Sequence, residues 1–222
     1  MSSTDEIEQV QAVIDCLAAR FAEPPLDREI AAARSEFDRR RGAVCDDESL
    51  FESHVAAFLE WYVLERPGAD GRPPVVSCCL TSGAEGGLPG SARLLRALAL
   101  SHHSLFEVVD PRLDHPPGVR ILDLVGGGLW RVDQPAHAAG LVRGDIFEAR
   151  LIPWEDRVWF GPVFCYHPRE AHQSIHDLVE RQRREGPWDR ELVLSLARMR
   201  LNWSRSRNLP AERVYRREGD RV

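Results

Sequence analysis

The sequence predicts an α+β fold: a small antiparallel, barrel-like β-module flanked by N-terminal and C-terminal helices. Strand signals concentrate between residues 106 and 167. They are Phe106-Glu-Val-Val-Asp110, Val119-Arg-Ile-Leu-Asp-Leu-Val125, Leu129-Trp-Arg-Val132, Asp145-Ile-Phe-Glu-Ala-Arg-Leu-Ile152, Val158-Trp-Phe160 and Val163-Phe-Cys-Tyr166. Triple glycine, Gly126-Gly127-Gly128, punctuates the run as a bulge or hairpin turn. On both sides apolar residues recur at three- and four-residue steps, the period of helices. The implied organisation is a helical region over 1–104, the β-module over 105–167, C-terminal helices packing on the rest over 168–203, and an arginine-rich, loosely held tail over 204–222.

Thr4 or Asp5 is placed to cap a first helix carrying Ile7, Val10, Ile14, Leu17 and Phe21 on one face, with Pro24-Pro25 ending it. A second helix, 27–41, has the thin stripe Ile30, Ala33 and Phe37 and terminates at Gly42. The third, starting at Asp47 or Ser49, is the most apolar: Leu50, Phe51, Val55, Phe58, Leu59, Tyr62 and Val63 place it in the core, with His54 packed beside it. Residues 66–74 form a turn-rich connector, and 75–80 fit a short strand or a helical turn equally. Residues 83–90 read as loop, and Ser91 caps a helix expected to run through His103, with Ser101-His102-His103-Ser104 as its end. After the β-module, Pro168 opens a helix that stops at Gly186-Pro187. Asp189 caps a last helix bearing Leu192, Leu196, Met199 and Trp203.

Composition narrows the function classes. The net charge is −6, and all 29 basic residues are arginine. Residues 1–65 carry 15 acids against 6 arginines, whereas residues 178–222 carry 12 arginines against 7 acids. Such asymmetry marks either mutual neutralisation or a surface for an acidic partner. No stretch reaches the roughly 18 apolar residues of a membrane span, and the acidic start is unlike a signal peptide. A cytoplasmic protein without membrane association is therefore expected. Five irregularly spaced cysteines without a C-x-x-C pair indicate reduced thiols.

Cys165, His167, His172 and His176 lie within twelve residues, and His172 and His176 share one helix face. They are the candidate metal ligands, although H-E-x-x-H is absent. No G-x-S-x-G elbow is present, and no residue is proposed as catalytic. The triple glycine lacks the G-K-[ST] of a phosphate loop. Trp130, Trp154, Trp159 and Phe160, read as exposed, together with Arg198, Arg200 and Trp203, are candidate partner-binding residues, because aromatics and arginine dominate interface hot spots.

Asp123-Leu-Val-Gly-Gly-Gly-Leu129, with the later Gly144-Asp-Ile-Phe-Glu-Ala-Arg-Leu, resembles the D-x-S-x-x-G turn and following strand of PilZ domains, small barrels that bind cyclic di-GMP. The likeness spans about a quarter of the chain and implies a ligand site at Arg120, Asp123, Gly126 and Gly128. Val125 stands where that family has serine, and the R-x-x-x-R pair is missing, since Arg112 and Arg120 are eight apart. The layout of helix 51–64, then 101–109, Asp123-Leu124 and 144–150 is also similar to a set of uncharacterised bacterial proteins related to SEC-C-containing proteins. Those assign no activity, and the SEC-C zinc tail is absent.

The leading expectation is a non-enzymatic, regulatory protein acting through an unidentified protein partner and needing no cofactor. The alternatives are a degenerate PilZ-like ligand sensor, a metal protein or enzyme built on Cys165, His167, His172 and His176, and a nucleic-acid binder using the arginine-rich C-terminus. The acidic whole-chain balance weighs against the last.

Overall fold

The computed structural model describes residues 3–22, 27–81, 92–115, 117–133, 140–187, 190–206 and 208–216. Pro24-Pro25, the 83–90 loop, Ser91, Asp189 and the side chains of Thr4, Asp5, Ile7 and Phe21 lie outside it. The elements are α1 (Ser3–Ala22), α2 (Asp27–Arg41), α3 (Phe51–Leu64), α4 (Pro74–Thr81), α5 (Ala92–Ala99), β1 (His102–Asp114), β2 (Pro117–Asp123), β3 (Leu129–Val132), β4 (Ile146–Trp154) and β5 (Arg157–Tyr166). A 3-10 turn (Arg169–Ala171) then leads into α6 (His172–Glu185), α7 (Arg190–Arg205) and the short α8 (Ala211–Val214). No described helix is long and apolar enough to cross a membrane.

The chain divides into two interleaved units: Met1–Arg39, Val44–His102 and Arg150–Val163 form one, and Arg40–Ala43, His103–Ala149 and Phe164–Val222 the other. In the first unit, α1 packs on α3 and α4, and α4 on α5. Val10, Ile14 and Leu17 of α1 are buried, as the helical spacing requires. Phe37 of α2 meets Phe58 and Trp61 of α3 at ring-centroid distances of 5.6 and 5.3 Å, so the thin α2 stripe is anchored by one aromatic. Arg66 adds an ionic clamp on α2, reaching Glu29 and Glu36 at 3.1 and 3.0 Å. His54 reaches Asp38 at 3.1 Å.

The sheet is antiparallel, with strand order β3-β2-β1-β4-β5. It is open, not the barrel-like closure expected: four-residue β3 ends one side, β5 ends the other, and no ladder joins them. β1 pairs with β2 through Phe106↔Asp123 and Val108↔Ile121, with irregularities on either side of Asp110. β2 pairs with β3 through Val119↔Val132 and Leu122↔Leu129. The second unit's core joins Leu105, Leu124 and Ile146 from the sheet region to Ile175, Val179, Leu192, Leu196 and Tyr215.

Three local expectations are corrected. α5 stops at Ala99 because both the main-chain N–H and the hydroxyl of Ser101 turn back onto the Leu98 carbonyl, at 3.1 and 2.6 Å. His102, His103 and Ser104 are therefore strand, not helix end. The tail is not loose over its described part, since Ala211 and Tyr215 are buried in the core. Trp159 and Phe160 are buried rather than exposed.

The β2–β3 turn shows why aspartate precedes three glycines. Asp123 Oδ1 accepts the Ser104 hydroxyl at 2.6 Å and the N–H groups of Val125 and Gly126 at 3.0 and 2.8 Å. A Cβ on Gly126 would lie 2.5 Å from Asp123 Oδ2, and Gly127 has φ +77°. Arg183 pins the turn through the Leu124 carbonyl at 2.7 Å. Asp123→Ala removes the acceptor of two buried donors, the Ser104 hydroxyl and the Val125 N–H, and of the more exposed Gly126 N–H, and is expected to lower unfolding free energy by about 2–4 kcal/mol in a urea titration. Asp123→Asn, which keeps one acceptor oxygen, is expected to lose less than half of that. An alanine variant within about 0.5 kcal/mol of wild type, the usual range of a surface substitution, contradicts this role.

Candidate functional site

β4 reads Ile146-Phe-Glu-Ala-Arg-Leu-Ile152, and every one of these side chains is buried. Alternation puts Phe147, Ala149 and Leu151 on one face and Ile146, Glu148, Arg150 and Ile152 on the other. The charges at 148 and 150 thus sit on a strand buried on both faces. A charge in such a place requires partners, and each unit supplies its own set.

In the second unit, Glu148 Oε1 accepts from Arg41, at the C-terminus of α2, and from His103 Nε2 at 2.8 Å. Burial pushes the Glu148 carboxyl up; the Arg41 charge and the His103 hydrogen bond outweigh it and hold the pKa down to about 2. Gly42 lets α2 end beside α7, since a Cβ there would lie 2.9 Å from Leu201 Cδ2 and the backbone has φ +93°.

The same unit holds Cys165, His167, Tyr215 and Arg200. Burial, aided by the Glu148 charge, pushes the Cys165 thiol up to about 11. His167 shares a 3.0 Å hydrogen bond with the Tyr215 hydroxyl. Burial depresses the His167 imidazole to about 3 against the pull of Glu148, and it raises the Tyr215 phenol. At neutral pH the cluster therefore holds a thiol, a neutral imidazole, a protonated phenol and a paired carboxylate. None is poised near pH 7 for proton transfer, and the thiol is not a thiolate nucleophile.

In the first unit, Arg150 is the charge that β4 buries. Its Nε donates to Glu60 at 3.1 Å, its Nη1 to the Ser101 hydroxyl at 3.1 Å, and its Nη2 to Glu65. Burial works against the cation, and Glu65 and Glu60 outweigh it, so the guanidinium stays charged.

The four metal candidates do not converge. His167 faces Tyr215, His176 approaches Glu107 at 3.6 Å, and His172 Nε2 lies 3.4 Å from the His167 carbonyl. Among the described residues no three His, Cys, Asp or Glu side chains could hold a metal ion. The PilZ-like set is not assembled either. Asp123 is committed to its turn, whereas exposed Arg120, three residues earlier on β2, points to the opposite face. Gly126 and Gly128 serve the same turn, with Gly128 closed over by the Trp130 indole at 3.1 Å from its would-be Cβ.

Of the partner-binding candidates, Trp154 and Trp159 stack at 5.0 Å, with Arg93 and Arg157 guanidinium carbons 5.2 and 5.8 Å from the two ring centroids. Trp130 is half-buried on β3, opposite Ile121. Arg200 lies 5.2 Å from the Trp203 centroid and donates its Nε to the Tyr166 carbonyl at 2.9 Å. Arg198 is half-buried nearby on α7.

Sequence reasoning missed Glu148, Arg150, Arg41 and His103. The signal was present: two opposite charges on one face of a strand, bracketed on that face by Ile146 and Ile152, do not fit a solvated face. The sequence matches no family model, and searches of curated proteins and of solved structures return no significant match.

The His167 environment sets an acid-side stability limit. Its ring titrates near 3 when folded, against an ordinary 6.5. Between those values the unfolded chain takes up a proton that the folded chain refuses, so this stability is present above 6.5 and is lost as pH falls toward 3. Glu148 contributes a lower loss, between its ordinary 4.5 and about 2. In urea titrations between about pH 6 and about pH 4, wild type should lose roughly 1.4 kcal/mol per pH unit through His167. His167→Asn, which keeps a polar partner for Tyr215, should flatten that slope. Equal slopes in the two proteins contradict the assignment.

Proposed function

We propose that this chain is a non-enzymatic binding protein that holds a protein partner on the aromatic–arginine shelf formed by Tyr166, Arg200 and Trp203. The observation that carries the reading is Tyr166. This large aromatic is 46 % exposed at the end of β5, yet its ring is stacked on Phe164 at 5.9 Å and 10°. Its carbonyl is tied to Arg200, whose guanidinium covers Trp203. A rigid aromatic face presented with little conformational freedom left to lose is favourable for association.

The protonation states support the same reading. Cys165, His167 and Tyr215 are each held in the neutral form by burial. The C-terminal arginines speak against phosphate binding as their principal role, because several are engaged by main-chain oxygens. Arg200 donates to Tyr166, Arg205 to Ala43 and Arg216 to Glu212. A cytoplasmic setting fits five cysteines of which none is in a disulfide.

Affinity capture from native lysate, with wild type and Tyr166→Ala side by side, tests this. Wild type should recover one protein near stoichiometrically, and the variant should lose it by about thirtyfold, the effect of a hot spot worth about 2 kcal/mol. No stoichiometric partner, or equal recovery by both, contradicts the proposal.

A further inference from the structure

In the second unit, the turn before β4 lies beside the end of β5. The His167 N–H donates to the Ile146 carbonyl at 3.0 Å, which makes Tyr166 and Asp145 near neighbours. Each side of this junction exposes a large apolar side chain: Val142 is 52 % exposed and Tyr166 46 %.

The turn that carries Val142 is fixed. The Val142 N–H donates to Asp145 Oδ2 at 2.8 Å, and the Asp145 N–H returns to the Val142 carbonyl at 3.0 Å. Strand β1 holds the same turn at two points, through Gly144 N–H to the Val108 carbonyl at 2.8 Å and Val108 N–H to the Asp145 carbonyl at 2.9 Å. Gly144 supplies the φ of +82°. Asp145 Oδ1 accepts from Arg169 at 2.9 Å, which ties the turn to the segment after β5. Little freedom is left here to be lost on binding.

Both signs of charge surround the two apolar side chains, and most of these charges are committed. Arg169 is spent on Asp145, Arg200 on the Tyr166 carbonyl, and Glu107 faces His176 at 3.6 Å. Two groups of opposite sign have reach left over. Arg143 is 69 % exposed and lies 3.9 Å from Asp110, a long and solvent-weakened ion pair. Glu170 is exposed in the 3-10 turn and makes no hydrogen bond or ion pair among the described residues. A uniformly acidic partner would meet Glu170 and a uniformly basic one Arg143. A surface that offers one of each, beside an apolar centre, matches itself.

We propose, on the reading that the Tyr166 shelf is a partner surface, that its partner is a second copy of this chain, in a two-fold dimer that packs Tyr166 and Val142 against their counterparts and pairs Arg143 of each copy with Glu170 of the other. Two-fold symmetry makes the same patch serve both sides and repeats each contact. The apolar pair takes the centre of the interface, and the charges take its rim.

Sedimentation equilibrium on the purified full chain tests this. The average mass should climb with concentration from one chain to two and stop there, because a two-fold contact is closed. Tyr166→Ala should weaken association by about thirtyfold, the effect of a hot spot. Arg143→Glu and Glu170→Arg should each weaken it at least tenfold, since each variant faces like charges twice. Both side chains are exposed, so the fold should be kept, which thermal midpoints check. A one-to-one mixture of those two variants should associate as wild type does, because every pair across the interface is then of opposite sign. Mass that passes two chains, a dimer indifferent to Tyr166→Ala, or a mixture no tighter than its components overturns the proposal. So does a wild-type chain that stays single up to its solubility limit. In that case a different protein recovered from lysate by wild type and lost by Tyr166→Ala leaves the shelf as a partner surface, and no Tyr166-dependent recovery removes both.

Discussion

A strand buried on both faces has no place to leave a charge, and β4 carries two. Glu148 and Arg150 determine what else must surround that strand. Arg41 and His103 are required at Glu148, and Glu60, Glu65 and Ser101 at Arg150. One of the two β4 charges falls in each of the two units. Their contribution to net stability is small by the usual balance of desolvation against Coulomb attraction. Their contribution to uniqueness is larger, because any register of β4 that separates either charge from its partners leaves an ion unpaired in the interior.

Arginine's geometry is what makes these clusters workable. Arg150 serves three acceptors from one planar guanidinium, and Arg66 serves two. A lysine ammonium offers no such fork. The same property explains the C-terminal arginines, which satisfy main-chain carbonyls at turns and strand ends: Arg183 on Leu124, Arg200 on Tyr166 and Arg205 on Ala43. The basic excess of the C-terminal region is thus partly structural, which a count of charges could not reveal.

Much of the architecture was legible. The α1 and α3 stripes, the strands after Phe106, the turn at Gly126-Gly127-Gly128 and the stop at Gly186 follow from periodicity and from glycine placement, both local properties. Residues 75–80 resolved as helix α4, where apolar content alone favoured neither state. The barrel-like reading failed because closure depends on which strands meet, and no local pattern encodes that. The metal and PilZ-like sets failed for a related reason: closeness in sequence does not give convergence. His167 turned toward Tyr215, 48 residues away, and Arg120 and Asp123 separated onto opposite faces. The buried charges of β4 were hidden by the ordinary assumption that charged strand positions face water.

The most direct test of the account is the unfolding free energy of Arg150→Met, alone and combined with Glu60→Gln and Glu65→Gln. The single substitution leaves two carboxylates buried without their cation, and a loss of about 3–5 kcal/mol is predicted. Neutralising both carboxylates in the same chain should recover at least half of that loss. A single variant within about 1 kcal/mol of wild type, the worth of an exposed ion pair, or a triple variant no more stable than the single one, would show that β4 is not held by its buried charges.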